Sequence, residues 1–260
     1  MADMIDAVRR MPPAQRSQYV RLVCARTLSG CTKSIVELVS AELFLQLNGM
    51  DYARTARVVA VLSTANTCSD FLFGPLMGAL IDAYGRRRSL LAAQLVETLT
   101  ALLVGLRPSI PSFVLWQLLR EFSRRANKPA RLAMMGDFVG RASADFVHLH
   151  NASEMVSEAA RLVAMQVVAR VVASDTHRGF LYGAGCSAAA FLVTLLSLHE
   201  SLPVAKVKKI RSLRTAINPL SFVRFFRQSK GLSGMGALLT CWQVSSQSLQ
   251  RIRAGCPTYA

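Results

Sequence analysis

The sequence is poor in features that mark several common classes of protein. Acidic residues number 15 against 31 lysines and arginines, so the formal net charge is +16. Aromatic residues make up only 7 % of the chain, and no basic patch is interleaved with aromatics as a base-stacking surface requires. We therefore expect no nucleic-acid partner. The basic excess is instead typical of contact with anionic lipid.

The sequence also lacks the patterns of metal and catalytic sites. None of the six cysteines stands in a C-x-x-C pair, and most lie in apolar runs, where a cysteine serves as a small buried side chain. His148 and His150 stand close together but have no third ligand beside them. No nucleophile–base arrangement and no phosphate-cradling loop is evident. We expect no metal, no cofactor and no enzymatic activity.

What the sequence does have is long apolar runs. Hydrophobic residues make up 52 % of it, and the charged residues cluster between the runs. Residues 58–81 carry one charge, Asp70, residues 89–106 carry one charge, Glu97, and residues 179–198 carry none. Each run is close to the ~20 residues that a helix needs to cross ~30 Å of hydrocarbon. These runs predict an all-α membrane protein.

Three weaker apolar segments bring the predicted number of membrane helices to six. They are interrupted by charges and comprise residues 22–47, 112–135 and 154–173. A seventh helix starts near residue 231 and then fails. The predicted organisation is a cytoplasmic tail (1–21), a six-helix bundle (22–199), a basic cytoplasmic loop (200–230) and a partial seventh helix with a polar tail (231–260).

The distribution of basic residues predicts the orientation. The first 20 residues lack an apolar core, so we expect no cleavable signal peptide. With the N-terminus inside, 20 basic residues fall in inner segments and four in outer loops. This bias is typical of a cytoplasmic inner side. We expect a multi-pass membrane protein with its N-terminus in the cytoplasm and anionic lipid at that face.

The charges within the weaker segments share helix faces. Lys33 and Glu37 are four residues apart and are placed to pair. Four basic residues of the fourth segment fall within about 80° of one face: Arg120, Arg124, Lys128 and Arg131. Such faces are too costly against lipid and predict a cavity wall. The alternative is that this stripe is the inner end of a helix outside the membrane.

A short charged loop separates two of the strong apolar runs. Gly85 suits a tight turn, and the arginines after it suit the cytoplasmic side. Asp82 could pair with these arginines, or with the positive N-terminus of a neighbouring helix. The residues that define the loop are Gly78, Asp82, Gly85, Arg86, Arg87 and Arg88.

This run, G-x-L-x-D-x-x-G-R-R-R-x-L, resembles the loop between helices two and three of the major facilitator superfamily. It departs from the family at Ala83, where a basic residue is usual. Further along, Glu200-Ser-Leu-Pro203 and Asn218-Pro-Leu220 are similar to the central loop of the tetracycline-type drug:proton antiporters within that superfamily. Arg120 and Asp137 resemble two positions on and after the family's fourth helix.

The resemblance covers about residues 20–240 and implies the N-terminal half of a transporter plus the start of a seventh helix. It implies alternating access by two rocking halves, with the loop at Asp82 as part of a gate. The second half is missing from the sequence, so we expect a truncated chain. The alternatives are a non-transporting membrane scaffold or receptor, and an inactive fragment.

The resemblance further implies a cavity lined by helices one and four, for a small solute of unknown identity. The ionisable candidates to face it are Lys33, Glu37, Asp70, Glu97 and Arg120. The three carboxylates are our proton-coupling candidates, and the Arg120 stripe favours an anionic solute. The alternative is that each carboxylate is a hydrogen-bonded packing group.

Overall fold

The computed structural model describes residues 8–139, 144–172 and 175–201, without the side chains of residues 65, 67–76, 79, 144 and 171. These residues form long helices and contain no strand. Most of the predicted basic loop, and all of the predicted seventh helix, lie outside the described residues. The six helices are α1 (Pro13–Leu47), α2 (Tyr52–Tyr84), α3 (Arg86–Leu106), α4 (Ile110–Val139), α5 (Ala144–Val172) and α6 (Thr176–Ser197).

Helix α1 starts earlier than its hydropathy predicts. It begins at Pro13 and has 35 residues. At a rise of about 1.5 Å per residue it is about 50 Å long, well beyond the ~30 Å of a hydrocarbon core. Its first turns are held by packing: Leu22 is buried, and the Tyr19 hydroxyl donates to the Leu149 carbonyl of α5 at 2.8 Å. Part of the predicted tail is therefore helical.

Helix α5 also begins earlier than the predicted span of residues 154–173. Residues 140–151 are polar enough to favour a loop, yet the helix starts at Ala144. The reason is amphipathic packing, since Leu149 is fully buried and Phe146 contacts the same apolar cluster. Helix α4 extends beyond its predicted end at residue 135 and continues to Val139, with Pro129 inside it.

Small residues set the packing of α6 against its neighbours. A Cβ at Gly179 would lie 2.7 Å from a methyl of Val39, and one at Gly183 would clash with Val36. The glycines therefore let α6 approach α1 closely, as expected for membrane helices. Gly185 of the same helix makes no such approach, since nothing lies within 4 Å of a Cβ placed there.

Aromatic rings fill one end of the bundle. Phe44 of α1 stacks on Phe113 of α4 with 4.6 Å between ring centroids, and Trp116 meets Phe180 of α6 edge-on at 5.0 Å. These four residues are all buried. They fix α1, α4 and α6 next to one another, one turn of α4 away from Arg120.

Two of the described helices, α3 and α6, are long and apolar enough to cross a membrane by length and composition. Both match strong spans predicted from the sequence, with the predicted residue 179 lying three residues inside α6.

Candidate functional site

Arg86 joins three helices at the start of α3. Its side chain is buried, and one guanidinium nitrogen forms an ion pair with Asp137 near the end of α4 and donates to the Ala133 carbonyl at 3.1 Å. The other lies 4.0 Å from Asp82 Oδ1 at the end of α2. A guanidinium presents several donors in a fixed fork, so it satisfies partners on two helices at once.

Glu200 binds the N-terminus of α3 from the other side. The backbone N–H groups of Arg86 and Arg87 donate to its two carboxylate oxygens, each at 3.1 Å. A carboxylate is favoured here because the first N–H groups of a helix have no partner within it and carry a partial positive charge. The Arg87 side chain also donates to the Leu195 carbonyl of α6 at 2.7 Å. The end of α6 is thus fastened to α3.

Gly85 makes this arrangement possible. Its φ of +95° and ψ of 147° lie in a region that only glycine adopts without strain. A Cβ here would also lie 2.7 Å from Glu200 Oε2. One residue therefore reverses the chain between α2 and α3 and leaves room for the carboxylate.

The structure separates the six predicted loop residues into two groups. Arg86 and Arg87 bind partners, Gly85 shapes the turn, and Asp82 lies at the edge of this cluster. Arg88 is exposed and has no ion pair among the described residues, and a Cβ at Gly78 would meet nothing within 4 Å. The predicted turn is present at Gly85, and the sequence could not say which of the other members bind partners. Their role in a gate stays a prediction.

A second ionic cluster lies between α1 and α4. Arg120 forms an ion pair with Glu37 of α1, and its guanidinium carbon lies 5.0 Å from the centroid of the Trp116 ring. Lys33 Nζ lies 3.9 Å from the same Glu37 oxygen. Three of the predicted cavity residues are therefore together, although Glu37 and Arg120 are 83 residues apart in sequence.

The other two predicted cavity residues stand apart from that contact. Glu97 of α3 has Arg120, Arg131 and Lys33 as its electrostatic neighbours. Its side chain is only partly exposed. Glu97 therefore adds a third helix, α3, to the surroundings of Lys33 and Arg120. Asp70 lies on α2, but its side chain is outside the described residues.

Helix α5 adds two further ion pairs that the sequence did not assign to the site. Arg161 pairs with Glu158 and donates to the Ser34 hydroxyl of α1 at 2.6 Å. Arg26 of α1 pairs with Glu154 of α5. The spacing of Glu154, Glu158 and Arg161 puts them on one face of α5, but the sequence does not say which helix that face meets.

The ionic cluster of Lys33, Glu37 and Arg120 is open on one side. The side chain of Glu37 is 43 % exposed and that of Lys33 37 %, whereas that of Arg120 is 9 % exposed. An approaching solute would therefore meet Glu37 and Lys33 first and Arg120 behind them. No group of three or more potential metal ligands occurs among the described residues. The contacts that the site does show are ion pairs, between Glu37 and the two cations Arg120 and Lys33.

No protein-family model and no curated protein matches the chain. Among solved structures, the chain is similar to the crystal structure of the human organic anion transporter MFSD10 (TETRAN), with a TM-score of 0.62 and 17 % sequence identity. The match covers 83 % of this chain and 55 % of that one, so the chain spans about half the length of the transporter.

At this identity the match concerns the fold. The described residues have an all-helical fold like that of a major facilitator superfamily transporter, as the loop at Asp82 predicted. The match carries no information on the tetracycline-type subgroup.

Proposed function

We propose that this chain is the N-terminal half of a secondary carrier that moves a small organic anion across a membrane by alternating access. One observation carries the proposal: a cationic cluster built around Arg120 lies between α1 and α4, on a fold shared with a transporter. In carriers of this kind the solute binds between two halves that rock about it. The similar human protein is described as an organic anion transporter, which agrees with the charge of the cluster.

The balance of charge around the cluster supports an anionic solute. Among the described side chains, seven cations and five carboxylates take part in the ion pairs and electrostatic contacts around Arg120 and its neighbours, an excess of two cations. A site with an excess of one sign of charge attracts ligands of the opposite sign. The cations are Arg26, Lys33, Arg120, Arg124, Lys128, Arg131 and Arg161, and the carboxylates are Glu37, Glu97, Glu121, Glu154 and Glu158.

We further propose a multi-pass arrangement with six spans, a partial seventh and a cytoplasmic N-terminus. In this arrangement the loop at Asp82 and the Glu200 contact lie at the cytoplasmic face, beside anionic lipid. The gate would consist of Asp82, Gly85 and the three arginines after it, with Gly78 behind them. The Glu-Ser-Leu-Pro sequence at 200–203 supports a relationship to the tetracycline-type antiporters.

Proton coupling is a further part of the proposal. Glu37 and Glu97 are carboxylates beside cations at the cluster, and Asp70 lies on the adjacent α2. Carboxylates in membrane helices commonly serve as proton carriers. Glu37 pairs with Lys33 and Arg120. Uptake of a proton by Glu37 would therefore be linked to whether these two cations hold Glu37 or an anion.

Binding by the purified full chain in detergent tests the anion site of this proposal, because transport needs two halves and the chain is proposed to be one of them. We expect saturable binding of radiolabelled phthalate in equilibrium dialysis, above that of a protein-free control, and no binding of the cation tetraethylammonium. Equal binding of both, or binding of the cation alone, would contradict an anion carrier. A folded chain that binds neither compound would instead favour the non-transporting scaffold.

A further inference from the structure

Glu37 occupies the position that an anionic solute needs. The same carboxylate oxygen pairs with Arg120 and lies 3.9 Å from Lys33 Nζ. Arg120 is the strong partner and the buried one, while Lys33 is at the margin of an ion pair and partly exposed. An external anion therefore reaches this guanidinium nitrogen of Arg120 only after Glu37 has moved aside.

Arg120 is already arranged to hold a carboxylate. The Trp116 ring covers one side of its guanidinium at 5.0 Å, which limits the directions in which the group can turn. Glu37 is its only ion-pair partner among the described residues. A guanidinium held this way binds a planar carboxylate through two parallel hydrogen bonds. Arg120 gives Glu37 one such bond, through one guanidinium nitrogen, and can offer an incoming carboxylate two.

Lys33 offers Glu37 an alternative ion-pair partner. Lys33 lies one turn earlier on α1, and the 3.9 Å separation closes by rotation of two flexible side chains. If a solute takes Arg120, Glu37 is left paired with Lys33 and no carboxylate is stranded without a cation. This matters because an unpaired charge in a partly buried site is costly.

We propose that Glu37 is an internal counter-ion that a carboxylate-bearing organic anion displaces from Arg120, with Glu37 passing to Lys33. The inference rests on the proposed anion carrier and adds the residue that competes with its solute. Glu37 then sets the affinity without contacting the bound anion. Competition of this kind reduces the apparent affinity by the fraction of time that the site is free.

The proposal predicts a gain of function from a neutral replacement. If Glu37 occupies Arg120 about nine-tenths of the time, Glu37→Gln tightens anion binding about tenfold. Glutamine keeps the shape of the side chain and removes its charge. A solute-binding role for Glu37 would give the opposite sign.

Fluorescence of Trp116 gives a direct readout. The chain has two tryptophans, so Trp242→Phe leaves Trp116, which lies against Arg120, as the single emitter. The full chain in detergent is titrated with cyclohexanecarboxylate, and with cyclohexanecarboxamide as a neutral probe of the same shape. The control variant is Glu42→Gln, which removes one exposed carboxylate of the same helix, bonded to Gln46.

We expect the dissociation constant for cyclohexanecarboxylate to fall about tenfold in Glu37→Gln, to change less than about twofold in Glu42→Gln, and the amide to give no response. Glu37→Asp, which keeps the charge but shortens the reach to Arg120, should lie between wild type and Glu37→Gln. It also serves if Glu37→Gln elutes as aggregate.

The outcomes separate the two proposals. Binding by the wild type with no tightening in Glu37→Gln, or equal tightening in Glu42→Gln, overturns the counter-ion role and leaves the anion carrier standing. No carboxylate binding by any of the folded variants overturns both.

Discussion

Arg86→Met is expected to lower the free energy of unfolding by about 3–5 kcal/mol, which is the usual effect of removing one partner of a buried ion pair. The change leaves the carboxylate of Asp137 and the carbonyl of Ala133 without their donor. Methionine fills much of the volume of the arginine stem, so the loss is electrostatic rather than steric. Thermal unfolding of the full chain in detergent, followed by size-exclusion fluorescence, measures it.

The same loop supplies the control. Arg88 lies two residues further on, is exposed, and has no ion pair among the described residues, so Arg88→Met should change stability by less than about 0.5 kcal/mol. The double variant Arg86→Met/Asp137→Leu should recover most of the loss, because it leaves no unpaired carboxylate. Equal effects at Arg86 and Arg88 would contradict the role given to Arg86.

Arg120→Gln is expected to weaken phthalate binding at least about tenfold, the effect of losing a charge-assisted bond of about 1.4 kcal/mol or more. The variant removes the cation that Trp116 orients and leaves Glu37 paired with Lys33 alone. The dissociation constant for phthalate, obtained by equilibrium dialysis with the purified full chain in detergent, measures this effect.

Two control variants accompany that measurement. Arg57→Gln removes an exposed arginine of α2 whose side chain donates to the Ala53 carbonyl of its own helix, and binding should stay close to wild type. Arg120→Lys keeps the charge but loses the planar fork, so its affinity should be intermediate. Wild-type affinity in Arg120→Gln would place the anion elsewhere in the molecule.

Local patterns were enough to predict the parts of the fold that rest on neighbours in sequence. The apolar runs identified α3 and α6, the glycine after Asp82 identified the turn, and the spacing of Lys33 and Glu37 put them on one face. The helix starts at Pro13 and Ala144 were missed. Both segments are polar on average. Because mean hydropathy averages over all faces of a helix, it does not detect the single apolar face by which each segment packs.

Contacts between distant segments could not be predicted in this way. Arg120 was assigned to a stripe of cations, but only the packing of α1 on α4 brings Glu37 to it. Glu200 was noticed as part of a motif, whereas its bond to the first turn of α3 spans 114 residues of sequence. Single-sequence periodicity says which face a residue occupies, and it does not say which helix covers that face.

We propose that the charged faces of α1, α4 and α5 line a water-filled cavity inside a membrane protein. Single cysteines test it directly, in the full chain with its six native cysteines replaced by serine. Glu158 on this face and Leu99 on α3 are both exposed in the structure.

In membrane vesicles we expect a charged, membrane-impermeant thiol reagent to label Glu158→Cys and to leave Leu99→Cys unlabelled, because lipid covers the latter. Equal labelling of the two cysteines would contradict the claim that this bundle lies in a membrane, and labelling of Leu99→Cys alone would contradict the position of the cavity.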